Sequence, residues 1–124
     1  MRLPNGEQAI VDSIKLRDYC LSPTHTRGRH KARVFAAVLG LTNEDAEQLQ
    51  DALFQAALTE DATPSKQDAF GERYVIDFLM QGPRGAAIVR SAWIVRTGED
   101  APRLASCYDR GRKTQELQPW DISP

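Results

Sequence analysis

The sequence has few cysteines and no long apolar run. Its 124 residues include two cysteines, Cys20 and Cys107, which form no CxxC pair, so we expect buried free thiols rather than a disulfide framework. The chain has no run of about 18 apolar residues, so no transmembrane helix is predicted. The first residues lack a basic segment followed by an apolar stretch, so no secretory signal is predicted. We therefore expect a cytoplasmic protein without membrane association.

Familiar catalytic and cofactor motifs are missing as well. The chain contains no P-loop and no GxGxxG, GxSxG or HExxH motif, and no cofactor is predicted. Its two histidines, His25 and His30, have no cysteine or carboxylate between them, which is not a known pattern of zinc ligands. No metal site is therefore predicted.

Charge is nearly balanced overall but unevenly distributed. The net charge of −1 excludes a uniformly basic protein that coats nucleic acid. Residues 1–40 carry seven Lys and Arg against three Asp and Glu, whereas residues 41–70 carry one against seven. A basic first third is thus followed by an acidic middle.

Three helices are predicted in the first half of the chain. The first follows Asp12 or Ser13, either of which can cap it, and the second ends at Gly40. The third begins at a capping box formed by Thr42 and Asp45. We interpret the acidic middle mainly as the solvated face of this third helix.

The second half of the chain predicts a sheet. Alternating apolar and polar residues predict strands over residues 72–81, 86–96 and 103–110. Residues 59–71 are expected to be a polar connector. The predicted fold is α+β, with N-terminal helices packed on a small antiparallel meander of three to four strands. We expect a single domain over residues 1–110 and a polar, partly flexible C-terminal tail over residues 111–124.

Both histidines lie in one basic loop, PTHTRGRHKAR, which is the first candidate site. Six residues that are cationic or can become so occupy the nine positions from His25 to Arg33, and Gly28 lies just before the second helix. Free N–H groups at a helix start attract anions, and histidine transfers protons near pH 7. The predicted phosphate-binding residues are Arg27, Gly28, Arg29 and Arg33. The alternatives to a phosphate site are that the loop is merely solvated surface and that a histidine only forms a hydrogen bond at the start of the helix.

The predicted strands supply a second candidate set. Arg90 is a charged residue in the middle of a strand, and Ser106 and Tyr108 share a face of the next strand. Together they could bind a phosphodiester and stabilise the charge that develops on it. The alternative is that antiparallel sheets ordinarily place polar side chains outward.

The chain resembles an uncharacterised bacterial domain family along the runs KLRDYCLSPTHTRGRHKARVFAAVLGLT, GERYVIDF and VRSAWIVRTGEDAPRLASCY. The resemblance covers residues 3–109, and its loop-to-helix pattern His-x-x-Gly-x-x-Lys-Ala is the most specific part. The matching positions are Lys15-Leu16, His25, Gly28, Lys31-Ala32, Leu39-Gly40, Arg90 and Trp93.

That family resembles, more distantly, the toxin domains of polymorphic bacterial toxins, which are similar to the superfamily of barnase, EndoU, colicin nucleases and RelE. Its members place helices before a small antiparallel sheet and cleave RNA without metal. The resemblance implies the catalytic residues His25, His30, Lys31, Arg90, Ser106 and Tyr108. Because no carrier module precedes the domain in this sequence, we expect a free-standing intracellular toxin or an inactive relative.

Two functions remain open from the sequence. The first is a metal-independent, ribonuclease-like toxin that acts on RNA and is held by a cognate antitoxin or immunity protein. The alternative is a non-catalytic interaction module of the immunity or antitoxin type, whose working surfaces would be an edge strand and the acidic third helix. An exposed strand edge would also allow a dimer.

Overall fold

Three helices precede four strands along the chain. The structure, a computed structural model, describes residues 1–26 and 28–112. The helices are α1 (Ser13–Lys15), α2 (Arg29–Val34) and α3 (Ala46–Thr59), and π-helical turns extend α1 over Leu16–Cys20 and α2 over Phe35–Leu39. The strands are β1 (Thr63–Asp68), β2 (Gly71–Gln81), β3 (Ala86–Arg96) and β4 (Arg103–Arg112), and 3-10 turns cover Gly6–Gln8 and Asn43–Asp45. The predicted α+β fold is confirmed.

The helix ends lie where their capping residues predict them. Asp12 Oδ1 accepts a hydrogen bond from the Ile14 N–H at 2.9 Å, so Asp12 caps α1. The Thr42 N–H donates to Asp45 Oδ2 at 2.8 Å in the capping box that leads into α3. Gly40 has a left-handed φ of 78° and ends the extension of α2.

The four strands form an antiparallel sheet in the order β1-β2-β3-β4. The short turn between β2 and β3 pairs Gln81 with Ala86, and this register places Asp77 opposite Arg90. The register between β3 and β4 places Arg90 opposite Tyr108. Three polar residues of three strands therefore lie in one row across the sheet.

The connector predicted over residues 59–71 is wrong in one respect, because it contains strand β1. This strand is an edge strand, and five of its six residues are exposed. It therefore lacks the apolar alternation that predicts a half-buried strand. Its register with β2 also shifts between Pro64 and Gln67, and such irregularity, together with a proline, protects an edge from pairing with other chains.

The helices cover one face of the sheet, the inner face, and leave the outer face open. Alternate residues of β2, β3 and β4 enter the core on the inner face, including Tyr74, Ile76, Phe78, Val89, Ser91, Trp93, Leu104 and Cys107. Leu16, Phe35, Leu39, Leu49 and Leu53 meet them from the helices. The outer face consequently carries Val75, Asp77 and Leu79 of β2, as the alternation predicts.

Two of the predicted features fall on residues outside the described ones. Arg27 is one of them, and the predicted tail over residues 111–124 lies outside from residue 113 onward. Within the described residues, no helix is long and apolar enough to cross a membrane.

Candidate active site

The polar row on the outer face is built around an ion pair. Arg90 Nε donates to Asp77 Oδ1 at 2.8 Å, and Arg90 Nη2 donates to Asp77 Oδ2 at 2.9 Å. Arg110 Nη1 donates to the same Oδ2 at 3.0 Å. A guanidinium held by two bonds has a fixed orientation, and its remaining N–H groups stay available to a further acceptor.

The charges of this cluster stabilise one another. Hydrogen bonds from Arg90 hold the pKa of Asp77 below its ordinary value, and the charges of Arg90 and Arg110 add to that effect. The hydrogen bond to Asp77 in turn raises the pKa of Arg90, and Tyr108 contributes in the same direction. Arg90 and Asp77 are both about one-third exposed, so the pair remains open to a ligand on the outer face.

A cavity of about 390 Å³ opens beside the ion pair on the β1 side of the sheet. Asp77 and Arg90 form part of its wall, and the side towards β1 is completed by a second carboxylate, Asp61, with Thr63, Pro64, Ser65 and Val75. Antiparallel sheets commonly leave one face to solvent, but this part of the outer face is a concave surface with a fixed cation.

Lys31 brings the basic loop to the sheet. Its Nζ lies 5.0 Å from the centroid of the Tyr108 ring, which is a cation–π distance. Helix α2 packs against β4, and this contact carries Lys31 to the strand edge. Lys31, Tyr108 and Arg90 are the predicted catalytic residues that these contacts bring together.

His25 is engaged at the start of α2. Its Nδ1 accepts a hydrogen bond from the Gly28 N–H at 3.1 Å, so the neutral ring carries its proton on Nε2. The ring stacks on Tyr19 with centroids 4.6 Å apart and planes inclined by 27°. These contacts match the alternative that a histidine at a helix start bonds the helix.

Packing explains the glycine at position 28. A Cβ at this position would lie 2.2 Å from the Tyr19 carbonyl oxygen, closer than any real Cβ approaches backbone. The Gly28 N–H is bonded to His25 Nδ1, and the Arg29 N–H is bonded to the His25 carbonyl oxygen at 2.9 Å. The sequence predicts free N–H groups for an anion at this helix start, but those of Gly28 and Arg29 are already bonded to His25.

The four remaining described candidates are exposed or partly exposed side chains. Arg29, His30 and Arg33 are exposed on α2. Ser106 is partly exposed on the outer face, opposite Ala92 of β3. Their roles remain predictions, as does that of Arg27.

Asp77 and Arg110 are site residues that the sequence reasoning missed. A signal for Asp77 was present, because the turn that separates the two predicted strands fixes which residues face each other. Pairing Gln81 with Ala86 implies that Asp77 faces Arg90, an opposite-charge pair across two strands. Arg110 had no such local signal, since its contact with Asp77 skips the intervening strand.

The two cysteines, far apart in sequence, meet in the core. Both are buried free thiols, as predicted. The hydrogen bond between them lowers the pKa of Cys20 to about 7 and raises the pKa of Cys107, which burial raises further. In the described part of the chain, no three His, Cys, Asp or Glu side chains come together in a way that could hold a metal ion.

The fold is shared with a solved bacterial structure. One chain of a contact-dependent growth inhibition toxin–immunity protein complex from Klebsiella pneumoniae 342 superposes with a TM-score of 0.61 and 16% identity, over 82% of this chain and 99% of that one. At this identity the likeness establishes the fold alone. No curated protein matches the sequence. The predicted resemblance to an uncharacterised domain family is confirmed over nearly the whole described chain. The chain belongs to the family described as "Domain of unknown function (DUF6883)", whose profile matches residues 2–111.

Proposed function

We propose that the protein is a metal-independent, ribonuclease-like toxin whose active site is the outer-face cluster. One observation carries the proposal: Arg90 and Tyr108 face each other across β3 and β4, and Lys31 of the basic loop lies over the Tyr108 ring. These residue types bind a phosphodiester and stabilise the charge that develops on it.

The proposed reaction is attack of the RNA 2′-oxygen on the adjacent phosphorus. The bond between phosphorus and the 5′-oxygen breaks, which leaves a 2′,3′-cyclic phosphate and a 5′-hydroxyl. Arg90 binds the non-bridging oxygens with the N–H groups that Asp77 does not use. The negative charge on those oxygens grows in the transition state, so a fixed guanidinium lowers the barrier.

Two proton transfers complete the proposed reaction. His30, which precedes Lys31 on α2, accepts the proton of the 2′-hydroxyl, since His25 Nδ1 is already occupied by the Gly28 N–H. The Tyr108 hydroxyl donates a proton to the departing 5′-oxygen. Lys31 stabilises the negative charge that Tyr108 then carries, because its ammonium lies over the ring.

A role in a toxin–immunity system is supported by the shared fold. The solved relative is named as part of a contact-dependent growth inhibition toxin–immunity protein complex. A protein that cleaves RNA in its own host needs a cognate protein that holds it inactive. We therefore propose an immunity or antitoxin protein as partner and RNA as substrate.

The test is cleavage of RNA by the purified full chain in EDTA. We expect products that end in 2′,3′-cyclic phosphate, and growth arrest with degraded RNA when the protein is expressed in a bacterial host. Arg90→Gln and Tyr108→Phe should each lower the cleavage rate by about 10²-fold or more. Arg17→Gln is the matched control, because Arg17 is about half exposed on the π-helical turn after α1, where it pairs with its neighbour Asp18.

Intact RNA with the wild-type protein, together with normal growth of the host, would overturn the proposal. Equal cleavage by the wild type and by Arg90→Gln would place the chemistry elsewhere. His30→Ala tests the assignment of the base separately. It should lower the rate above neutral pH less than at neutral pH, because hydroxide then replaces the lost base.

A second candidate function is an immunity-type module that binds a basic protein. The acidic run that leads into α3 favours it, because Glu44 of the preceding 3-10 turn and Glu47 and Asp51 of α3 are all exposed. Charge of one sign on one surface attracts a partner of the opposite charge. Capture of one stable basic protein by the wild type, lost in a variant that carries Lys at these three positions, would support this candidate over the ribonuclease.

A further inference from the structure

A second cavity lies where the outer face of β2 to β4 meets the segment over residues 10–15, and it begins four residues along β2 and β3 from the ion pair. Its volume is about 450 Å³, and its lining includes four cationic side chains, Lys15, Arg73, Arg96 and Arg103, together with the apolar Phe70 and Ile94. We call this cavity the basic groove. We propose that it binds single-stranded RNA and holds the substrate strand on the active-site face.

The lining of the basic groove carries a surplus of positive charge. Asp12 is the carboxylate in the lining, and its Oδ1 already accepts the capping bond from Ile14. Arg103 pairs with Glu99 at 3.0 Å and Arg73 with Asp68 at 3.4 Å. Both pairs are solvent-exposed in part, so they are weak and a phosphate can compete for the arginines.

Lys15 and Arg96 supply the charges that are not used in this way. Among residues 1–26 and 28–112, no carboxylate lies within ion-pair distance of either side chain. Arg96 is exposed at the end of β3, and Lys15 enters the groove from α1. The charge of Arg96 also acts on Glu99, whose main partner is Arg103. Within these residues neither Lys15 nor Arg96 holds a carboxylate in an ion pair, so both can contact a phosphate backbone that runs along the groove.

Phe70 adds a surface for a nucleobase. Its side chain is 72% exposed, more than any other large apolar side chain in the described part of the chain. The backbone beneath it is fixed, because the Phe70 N–H donates to Asp68 Oδ1 at 2.9 Å and its carbonyl accepts from the Thr97 N–H at 3.0 Å. A rigidly held, exposed aromatic ring beside arginines is the arrangement on which unpaired bases stack.

The groove and the active site lie on one continuous surface. Arg73, Ile94 and Arg103 form a row across three strands, and the row of Asp77, Arg90 and Tyr108 lies four residues farther along β2 and β3. Four residues of strand span about 13 Å. Between the two rows lie Val75, Ala92 and Ser106, and the small side chains of Ala92 and Ser106 leave room over β3 and β4 for a chain that crosses from one row to the other.

The inference rests on the proposed RNA-directed function, so its test measures binding without cleavage. The probe is a short fluorescein-labelled 2′-O-methyl oligouridine, which lacks the attacking hydroxyl, and the readout is fluorescence anisotropy with the full chain. We expect binding that weakens steeply with salt, because phosphate contacts release counterions. Phe70→Ala and Arg96→Gln should each weaken binding by about tenfold.

Matched controls remove an apolar or a cationic side chain from elsewhere on the surface. Leu58→Ala removes a half-exposed apolar residue of α3, and Lys66→Gln removes a cation from the exposed edge strand β1. Neither should change the affinity by more than about twofold. Phe70 and Arg96 are exposed, so their variants should fold, and a circular dichroism spectrum checks this.

The outcomes separate the groove from the proposed activity. Binding that depends on Phe70 and Arg96 without any RNA cleavage would support the groove while the ribonuclease proposal fails. Cleavage that persists while both variants bind as tightly as the wild type would overturn the groove and leave the ribonuclease proposal standing. Displacement of the probe by poly-glutamate as readily as by RNA, with no effect of Phe70→Ala, would also overturn it and indicate an acidic protein partner instead.

Discussion

The two faces of the sheet use polar side chains in opposite ways. On the inner face, Ser91 is fully buried; its hydroxyl donates to the Ile76 carbonyl and accepts from the Trp93 indole N–H, both at 2.9 Å. On the outer face, the neighbouring residue Arg90 is bonded to Asp77 but remains partly exposed. Strand β3 thus carries a hydroxyl whose hydrogen bonds are made inside the protein, next to a guanidinium that keeps N–H donors for a ligand.

This difference indicates that the inner face serves stability and the outer face serves binding. The inner face contributes mainly to the free energy of unfolding, because its side chains are removed from water. The outer face contributes little to it, since partly exposed ion pairs are worth about 1 kcal/mol or less. Variants on the two faces should therefore separate loss of stability from loss of function.

Replacement of the central aromatic residue should give the largest effect. Trp93 is 1% exposed in the core, whereas Phe70 on the outer face is 72% exposed. Trp93→Ala should lower the free energy of unfolding by about 3–5 kcal/mol, and Phe70→Ala by less than about 0.5 kcal/mol. Urea denaturation of both variants measures the contrast, and similar losses in the two would show that the faces do not differ as described.

A serine on each face gives the next comparison. Ser91→Ala leaves the buried indole N–H of Trp93 without its acceptor, so we expect a loss of about 1–3 kcal/mol. Ser106→Ala on the outer face of β4 should cost less than about 0.5 kcal/mol, because Ser106 is partly exposed. The same denaturation experiment applies. A loss in Ser106→Ala as large as that in Ser91→Ala would mean that Ser106 bonds within the fold.

Much of the fold was predictable because its signals are local. The caps at Asp12 and Thr42 and the left-handed Gly40 need only neighbouring residues to be recognised. The alternation along β2 and β3 predicts which face is buried, since one face packs on the helices and the other does not. Strand β1 escaped prediction because an edge strand with both faces near solvent shows no such alternation.

The site was predictable only in part, because its contacts are between distant segments. The basic loop and the strands each supply suitable residues, but the sequence does not tell which of His25, His30 and Lys31 reaches the sheet. Packing of α2 against β4 selects Lys31. Gly28 shows a similar limit of the sequence. The local pattern predicts a ligand at this position, but a glycine is required there because the Tyr19 carbonyl oxygen leaves no room for a Cβ.

Acid should weaken the outer-face cluster through Asp77. Hydrogen bonds from Arg90, with the added charge of Arg110, hold the pKa of Asp77 below its ordinary value of 3.8. A carboxyl whose pKa is lowered in the folded state contributes stability that is fully present above its unfolded pKa and is lost as the pH falls through the lowered one. The free energy of unfolding, measured by urea denaturation, should therefore fall as the pH drops below about 4.

Asp77→Asn is the variant that tests this origin, because it removes the titrating group but keeps the side chain's shape. Its unfolding free energy should depend less on pH below about 4 than that of the wild type. Asp51→Asn, at an exposed position of α3, is the control and should keep the wild-type dependence. Identical acid profiles for the wild type and Asp77→Asn would contradict a role of this carboxylate in stability.

The contact between the basic loop and the sheet should give the smallest change in stability. Lys31 is partly buried over the Tyr108 ring, whereas Arg33, two positions along α2, is exposed. A cation–π contact of this kind is worth about 0.5–1 kcal/mol, so Lys31→Met should lower the free energy of unfolding by about that amount and Arg33→Met by less. If the outer face serves RNA cleavage, Lys31→Met should lose far more activity than stability, because the ammonium acts on Tyr108 in the transition state. Equal activity in the two variants would reduce the Lys31–Tyr108 contact to a stabilising one and would leave Arg90 as the cation on which the proposed chemistry depends.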